Sequence, residues 1–283
     1  MNKAKKILIT ADDFGMCQAV NDAIIELIEC GTLTTTNVLV NMDTLSNAAI
    51  LRQKYPWISV GMHWNVTTGH PVTEAGLIHT LVDNTGSFYP VSEFKRRMNH
   101  GLIDKKHFKL ELANQYELFR KYCGAADYWN THENSVLNLR TYKVYAEAAR
   151  LLGIKATRNF QRVYIDYDII SGKRKLREIL VRNIMNVWFG MLNKKDFIMP
   201  EGRVITFSAA SKVDLKKLYI GLIKTDKTSV EIVIHPSVSA EHPYFGLIAK
   251  ERVSEYQFFK SKGLLKLFKG HYFTLANYGN LNG

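Results

Sequence analysis

The chain has 283 residues, of which 46% are hydrophobic and 23% are charged, and this composition excludes a disordered or fibrous protein. The 38 lysines and arginines outnumber the 26 aspartates and glutamates by 12, which would suit a nucleic acid, an anionic membrane surface or an acidic ligand. Because aromatic residues do not alternate with the basic ones, solvated helix faces explain the charge better than a stacking surface for nucleic acid.

The predicted elements alternate between strand and helix along most of the chain. Short apolar, β-branched runs indicate strands, and apolar residues at helical spacing indicate helices. We predict strands at 6–11, 35–40, 58–62, 128–131, 155–158, 230–234 and 271–276, and helices at 19–28, 44–53, 104–122, 141–152 and 249–262. Such alternation is typical of βαβ units with a parallel sheet.

One segment departs from this alternation. From about 164 to 196 the chain is basic and amphipathic, with Trp188 and Phe189, and we predict a helical excursion there. No repeat and no Gly/Ser/Pro-rich linker divides the chain, so we expect one α/β domain over residues 1–283. About seven strand–helix alternations favour a distorted (β/α) barrel similar to a TIM barrel, with a doubly wound open sheet as the alternative.

The cysteines and the N-terminus favour a cytoplasmic location. Cys17, Cys30 and Cys123 are odd in number and lack C-x-x-C spacing, which argues against a disulfide framework. The apolar run before Asp12 is too short for a signal peptide, and no run approaches the ~18 apolar residues of a membrane helix. We therefore expect neither a membrane nor a nucleic acid as partner, and the sequence is compatible with a homodimer.

Polar residues follow four of the predicted strands. Asp12 and Asp13 follow the first strand, His63 the third, His132 the fourth and His235 a late one. Because the C-terminal ends of parallel strands lie on one face of the sheet, we expect these side chains to converge. Each residue alone has an ordinary structural explanation, such as a helix cap or a buried, hydrogen-bonded histidine. Their coincidence at strand ends favours a functional site.

The residue types in this group suit metal-assisted hydrolysis. Two histidines and one carboxylate can form a divalent-metal site with open positions, and a metal there lowers the pKa of bound water toward ~7. A second aspartate would accept a proton. A histidine on the opposite side would donate one to the leaving group, as hydrolysis of an amide or ester requires.

Three motifs carry a resemblance to a known family. They are residues 10–15 (TADDFG), residues 61–66 (GMHWNV) with Thr68, Gly69 and Pro71 after them, and residues 232–236 (IVIHP). Together they resemble the YdjC-type carbohydrate deacetylases, which include the chitooligosaccharide deacetylases. The first two motifs in this order are specific, whereas His-Pro alone is weak.

The resemblance implies a distorted (β/α) barrel, one divalent metal ion and removal of an acetyl group from an N-acetylated mono- or oligosaccharide. By position, Asp13, His63 and His132 look like the metal ligands. Two imidazoles and a carboxylate suit Zn²⁺ chemically, whereas the family is commonly associated with Mg²⁺, so both ions stay open.

The resemblance also implies roles outside the metal ligands. Asp12 looks like the general base, His235 like the general acid, and Arg158 like a substrate-binding residue. The family often has alternating histidines after its fourth strand, and this chain has Asn134 and Val136 in two of those positions. We therefore expect its metal affinity and substrate range to differ from those of the family.

Other functions remain as alternatives. A metal-dependent esterase or phosphoesterase would use the same ligands, and basic residues at the mouth of the site would favour it. A non-catalytic basic protein that binds glycan or RNA would keep only the barrel, and the intact set of candidate residues argues against it. A retaining glycosidase needs two carboxyl groups ~5.5 Å apart, and no second strand-end carboxylate is apparent.

Overall fold

The computed structural model describes residues 4–135, 138–163, 196–205, 215–268 and 272–282, together with the single residues 180, 184, 187 and 188. The predicted basic excursion at about 164–196 therefore lies almost entirely outside the described residues. Val136 lies outside them as well.

Strands and helices alternate through the described ranges, as predicted. The strands are β1 (Lys5–Phe14), β2 (Thr35–Val38), β3 (Ser59–Trp64), β4 (Trp129–Thr131), β5 (Gly202–Ile205), β6 (Ser229–Ile234) and β7 (Phe273–Leu275). The α-helices are α1 (Gln18–Glu29), α2 (Ala49–Lys54), α3 (Val91–Asn99), α4 (Lys105–Cys123), α5 (Leu139–Leu151), α6 (Leu215–Lys224), α7 (Ala249–Lys260) and α8 (Lys262–Phe268). In the described part of the chain, no helix is both long enough and apolar enough to cross a bilayer.

The strands form one parallel sheet in the order β4-β3-β2-β1-β6-β5, with β7 also paired to β1. Between the edge strands β4 and β5 the pairing is reduced to single bridges, Trp129 with Thr157 and Arg162 with Arg203. The predicted distorted (β/α) barrel is therefore confirmed. Helices cover its outer face, because a parallel strand returns to the same sheet through a crossover.

Strand β1 holds the centre of the sheet and is buried from residue 7 to residue 14. Such a continuous apolar run suits a parallel strand that is covered on both faces. Ile7 and Ile9 pack in the large core with the helices, whereas Leu8 lies in a separate small cluster. That second cluster also contains Tyr128, Ala156, Ala276 and Tyr278.

The sequence missed three elements and merged two others. Helix α3 was missed because it buries only Phe94 and Met98, which is too few for a clear helical period. The four-residue β5 and helix α6 were also missed. The predicted helix at 249–262 is two helices, α7 and α8, separated at Ser261, which has extended backbone angles. Residues 155–158 make isolated bridges at Ala156 and Thr157 rather than a regular strand.

Gly61 in β3 supplies a test of this packing. A Cβ atom at this position would lie 2.5 Å from ring carbons of Tyr128, which is itself stacked on Tyr278 at 3.9 Å and has little room to move. We expect Gly61→Ala to lower the free energy of unfolding by about 1–3 kcal/mol, as overpacking does. Chemical denaturation measures the loss, with Gly76→Ala as the control because the nearest atom to its added Cβ lies at 4.0 Å. Equal stability of the two variants would contradict the prediction.

Candidate active site

A cavity of about 370 Å³ opens at the C-terminal ends of the strands. Its lining includes every residue that the sequence singled out for a site, although these residues lie far apart in the chain. They are Asp12, Asp13, His63, His132, Arg158 and His235. The parallel sheet explains this convergence, because its strand ends all open on one face.

A bulge at the end of β1 brings two consecutive aspartates to the same cavity. In a regular strand neighbouring side chains point to opposite faces, so Asp12 and Asp13 would separate. Here the register with β2 shifts after Ala11, and Asp13 has a φ of 76°. The backbone N–H of Asp13 donates to Asn37 Oδ1 at 3.3 Å, and that of Gly15 donates to Asn21 Oδ1 at 2.7 Å, which hold the bulge in place.

Asp13, His63 and His132 form a compact group of metal-ligand type. Asp13 Oδ1 lies 3.2 Å from His63 Nε2 and 3.0 Å from His132 Nδ1. One ligand atom from each residue lies within 4.8 Å of the other two, and all three residues are buried. Two imidazole nitrogens and one carboxylate oxygen therefore face a common point, which is the donor set of a catalytic divalent-metal site.

Further contacts orient two of these three side chains. The side-chain amide of Asn130 lies 2.5 Å from His63 Nδ1, which leaves Nε2 toward the cluster. Arg252 Nη2 donates to Asp13 Oδ2 at 2.5 Å, which leaves Oδ1 facing both histidines. Such outer contacts fix the orientation of metal ligands in proteins.

The buried charges of the cluster shift two pKa values in opposite directions. Burial would raise the pKa of Asp13, but the charges of Arg252 and His132 outweigh burial and hold it well below its usual range. Burial would lower the pKa of His132, but the Asp13 carboxylate outweighs it and raises the pKa. Asp13 is therefore ionised at neutral pH, as a ligand must be.

Asp12 is held by Arg158 through both carboxylate oxygens. Arg158 Nη1 donates to Oδ2 and Nη2 to Oδ1, each at 2.7 Å, and Asn37 Nδ2 donates to Oδ1 at 2.5 Å. Burial opposes ionisation, but the charge and hydrogen bonds of Arg158 are stronger and lower the pKa of Asp12 well below its usual range. Asp12 is therefore an oriented anion.

Arg158 was predicted to bind substrate, and that role stays a prediction. In the structure its guanidinium lies between two carboxylates: besides Asp12, its Nε donates to Glu231 Oε2 at 3.1 Å. Arg158 is 4% exposed and Glu231 is fully buried. These contacts give Arg158 a positioning role toward Asp12.

His235 lies beside Asp12, whereas the sequence predicts a proton donor on the opposite side of the site. His235 Nε2 is 3.6 Å from Asp12 Oδ2, and the backbone N–H of His235 donates to Glu255 Oε2 at 2.7 Å. Burial lowers the pKa of His235 to about 4, although the charge of Asp12 opposes this shift. The imidazole is therefore neutral at pH 7.

Sequence reasoning missed several residues that build the site. Glu231 could have been found from the sequence, because a lone acid inside the apolar run of a buried strand must pair with a cation in the folded protein. Arg252 and Glu255 could not, because charged residues on a helix are usually solvated. Asn134, one of the two positions where the resemblance leads us to expect a histidine, lines the cavity with a φ of 51°.

The ion pair between Arg158 and its two acids can be tested by Arg158→Met. This change leaves two carboxylates buried without their cation, and we expect the free energy of unfolding to fall by about 3–5 kcal/mol at pH 7. Chemical denaturation measures it, with Arg96→Met as the control, because the exposed pair of Arg96 with Glu93 is worth ~0–1 kcal/mol.

The same variant makes a prediction about pH. The depressed pKa of Asp12 stabilises the wild type above the unfolded value of about 3.9, and this contribution is lost as the pH falls through the folded value. In Arg158→Met the pKa of Asp12 should rise. As the pH falls, the variant therefore protonates Asp12 at a higher pH than the wild type does, and protonation removes the cost of its buried, unpaired charge. The stability gap should therefore shrink as the pH falls below about 5, and a constant gap would contradict the charge network.

Curated relatives share about a third of their aligned residues with this chain. A carbohydrate deacetylase of Clostridium beijerinckii is 30% identical over 145 residues, which cover 51% of this chain and 56% of the relative. A carbohydrate deacetylase of Halalkalibacterium halodurans is 34% identical over 116 residues, 41% of this chain and 48% of the relative. A chitooligosaccharide deacetylase of Escherichia fergusonii is 30% identical over 165 residues, which cover 58% of this chain and 63% of the relative. The matches thus span about half to two thirds of these relatives.

A solved structure and a family model match over greater lengths. A protein of Enterococcus faecalis, provisionally named for cellobiose-phosphate cleavage, superposes with a TM-score of 0.78 at 21% identity over 99% of both chains, and so shares the fold. The model of the family described as YdjC-like protein matches residues 6–270. The chain therefore belongs to the YdjC-like family.

Proposed function

We propose that this protein is a metal-dependent hydrolase that removes the acetyl group from an N-acetylated carbohydrate. The observation that carries the proposal is the presence, in one cavity, of the Asp13–His63–His132 cluster beside Asp12 and His235. The deacetylase names of the curated relatives support it.

The ligand chemistry favours Zn²⁺ over Mg²⁺. Two of the three donors are imidazoles, whereas Mg²⁺ prefers oxygen ligands. The second oxygen of the only carboxylate in the cluster is already bonded to Arg252, so Asp13 offers one oxygen. Asp13, His63 and His132 would hold the divalent metal, which would supply an activated water and polarisation of the acetamide carbonyl.

The remaining residues would handle the protons. We assign to Asp12 the acceptance of a proton from the attacking water, because Arg158 and Asn37 hold its carboxylate at the edge of the cluster. We assign to His235 the delivery of a proton to the leaving amine. The separation of 3.6 Å between His235 Nε2 and Asp12 Oδ2 allows the proton to pass between them after a small shift of either side chain.

The charge at the mouth of the cavity helps to distinguish the proposed deacetylase from the alternative, an esterase or phosphoesterase. Basic residues at the mouth would favour an anionic substrate. The more accessible lining residues among those described are not basic: they include Val91, Glu133, Asn134, Tyr244 and Leu247. The lining arginines, including Arg158 and Arg252, are buried. A neutral acetylated sugar therefore fits the described mouth better than a phosphate ester.

The metal assignment is tested by His63→Ala. Losing a ligand should reduce metal affinity at least ~10-fold, as even the loss of a partner that orients a ligand does. Elemental analysis and calorimetric titration of Zn²⁺ into the metal-free protein measure this, with the exposed His79→Ala as the control. Full metal occupancy in His63→Ala would refute the assignment.

The activity itself is tested by acetate release from N-acetylated sugars, before and after treatment with a chelator and restoration of Zn²⁺. Asp12→Asn should keep the metal and reduce turnover by about 10²-fold or more, since a general base contributes that much. An active Asp12→Asn variant would exclude Asp12 as the base.

Two substrates with different leaving groups distinguish a proton-donating role of His235 from a structural one. The amine of an N-acetyl sugar leaves only after protonation, whereas the phenolate of an activated aryl acetate needs no proton. His235→Ala should therefore slow hydrolysis of the sugar by about 10²-fold or more and slow the aryl ester far less. An equal loss on both substrates would assign His235 to structure or substrate binding.

A further inference from the structure

A second cavity, of about 420 Å³, lies away from the candidate active site. Its described lining comes from residues 161–163, from the C-terminal end of helix α6, and from the turn at 225–227 that leads into the N-terminal end of β6. None of these described residues lines the cavity at the C-terminal ends of the strands. We propose that the second cavity is a binding site for a small phosphate monoester, which goes beyond the proposed function.

The second cavity carries an excess of positive charge. Arg162, Lys224 and Lys227 line it, and Asp226 is the one acid among its described lining residues. Asp226 pairs with Lys227 at 3.3 Å, but its side chain is 83% exposed, and ion pairs exposed to water contribute little. Within the described ranges, Lys224 has no ion pair. An anionic ligand can therefore neutralise charge that the protein itself leaves uncompensated.

The end of helix α6 would repel an anion if its carbonyl groups were free, because the last carbonyls of a helix carry partial negative charge. Lys5 covers this end. Its Nζ donates to the carbonyl oxygens of Leu222 at 3.0 Å and Ile223 at 2.9 Å, and also to that of Thr225. A fourth cation thus neutralises the helix end beside the cavity, so the amino group of Lys224 stays available for a ligand.

Repulsion among neighbouring arginines also favours an anion at this place. The segment 161–163 pairs through its backbone with Arg203 in β5. Burial lowers the pKa of Arg203 to about 9, and the charges of Arg158 and Arg162 add to this shift, although two nearby carboxylates oppose it. An anion beside Arg162 offsets part of this repulsion between cations.

The side chains and the size of the cavity suit a phosphate monoester. Arginine and lysine are the usual protein partners of phosphate groups, and Gln161 and Thr225 add uncharged side chains that can donate hydrogen bonds. Val163 and Ile220 supply apolar surface for the carbon skeleton that carries the phosphate. Small-molecule sites typically have volumes of about 300–1,000 Å³, and this cavity falls in that range.

The test is a calorimetric titration of glycerol 3-phosphate into the metal-free protein, because a metal in the candidate active site would itself bind phosphate. Glycerol without phosphate should not bind. Lys224→Gln should weaken the binding of glycerol 3-phosphate by about 5–20-fold, since one charge-assisted hydrogen bond is lost, and Lys224→Glu should abolish it. Lys54→Gln is the matched control, because Lys54 is also an exposed lysine near the end of a helix, and its affinity should change less than ~2-fold.

Three results would overturn the inference. They are no binding to the wild type, binding that both Lys224 variants leave unchanged, and an equal loss in Lys224→Gln and Lys54→Gln, which marks unspecific attraction. Binding of RNA or of vesicles with anionic lipid, without binding of glycerol 3-phosphate, belongs to the first of these results. His63→Ala should bind glycerol 3-phosphate as the wild type does, so this inference can fail or hold independently of the proposed deacetylase activity.

Discussion

The candidate site depends on the buried ion pairs that the guanidinium of Arg158 makes with two carboxylates. The guanidinium binds Asp12 at the end of β1 and Glu231 within the neighbouring β6, and none of the three could remain buried and charged alone. Removing Arg158 would leave two uncompensated carboxylates in the barrel, so the two acids depend on this one side chain. These ion pairs keep Asp12 ionised beside the Asp13–His63–His132 cluster. They also connect the chain near residue 158 to the central strands β1 and β6, although the chain there pairs with its neighbours only through single bridges.

A second constraint comes from helix α7. Arg252 and Glu255 lie three residues apart on it, both almost fully buried. Arg252 holds Asp13 with its Oδ1 toward His63 and His132, and Glu255 accepts the backbone N–H of His235. Residues three apart lie on the same face of a helix, so one helix positions groups from the first strand and from β6. The same arginine supports Phe245, so the mouth of the cavity is built on the helix that orders its floor.

How far the sequence predicted this arrangement follows from the kind of signal each part gave. Long strands and helices with strong periodicity, such as β1 and α4, were predicted within a few residues of their observed ends. Elements with few apolar residues, such as α3 and β5, were missed because tertiary contacts rather than local pattern stabilise them. The strand-end positions of Asp13, His63 and His132 were visible because parallel topology converts a sequence pattern into spatial proximity. The close approach of Asp12 and His235 could not be predicted, because a strand-end pattern does not indicate on which side of the cavity a side chain lies.

Local sequence patterns were enough to predict the alternation of strands and helices, the parallel barrel and the set of ionisable residues at its open face. These follow from local periodicity and from motif order, which are properties of short segments. Long-range packing sets which charged groups pair: Arg158 binds Asp12 and Glu231, Arg252 binds Asp13, and a bulge turns two consecutive aspartates toward one cavity. Pairing of buried charges depends on distances of a few ångströms between residues up to 239 positions apart, and no local pattern encodes such distances.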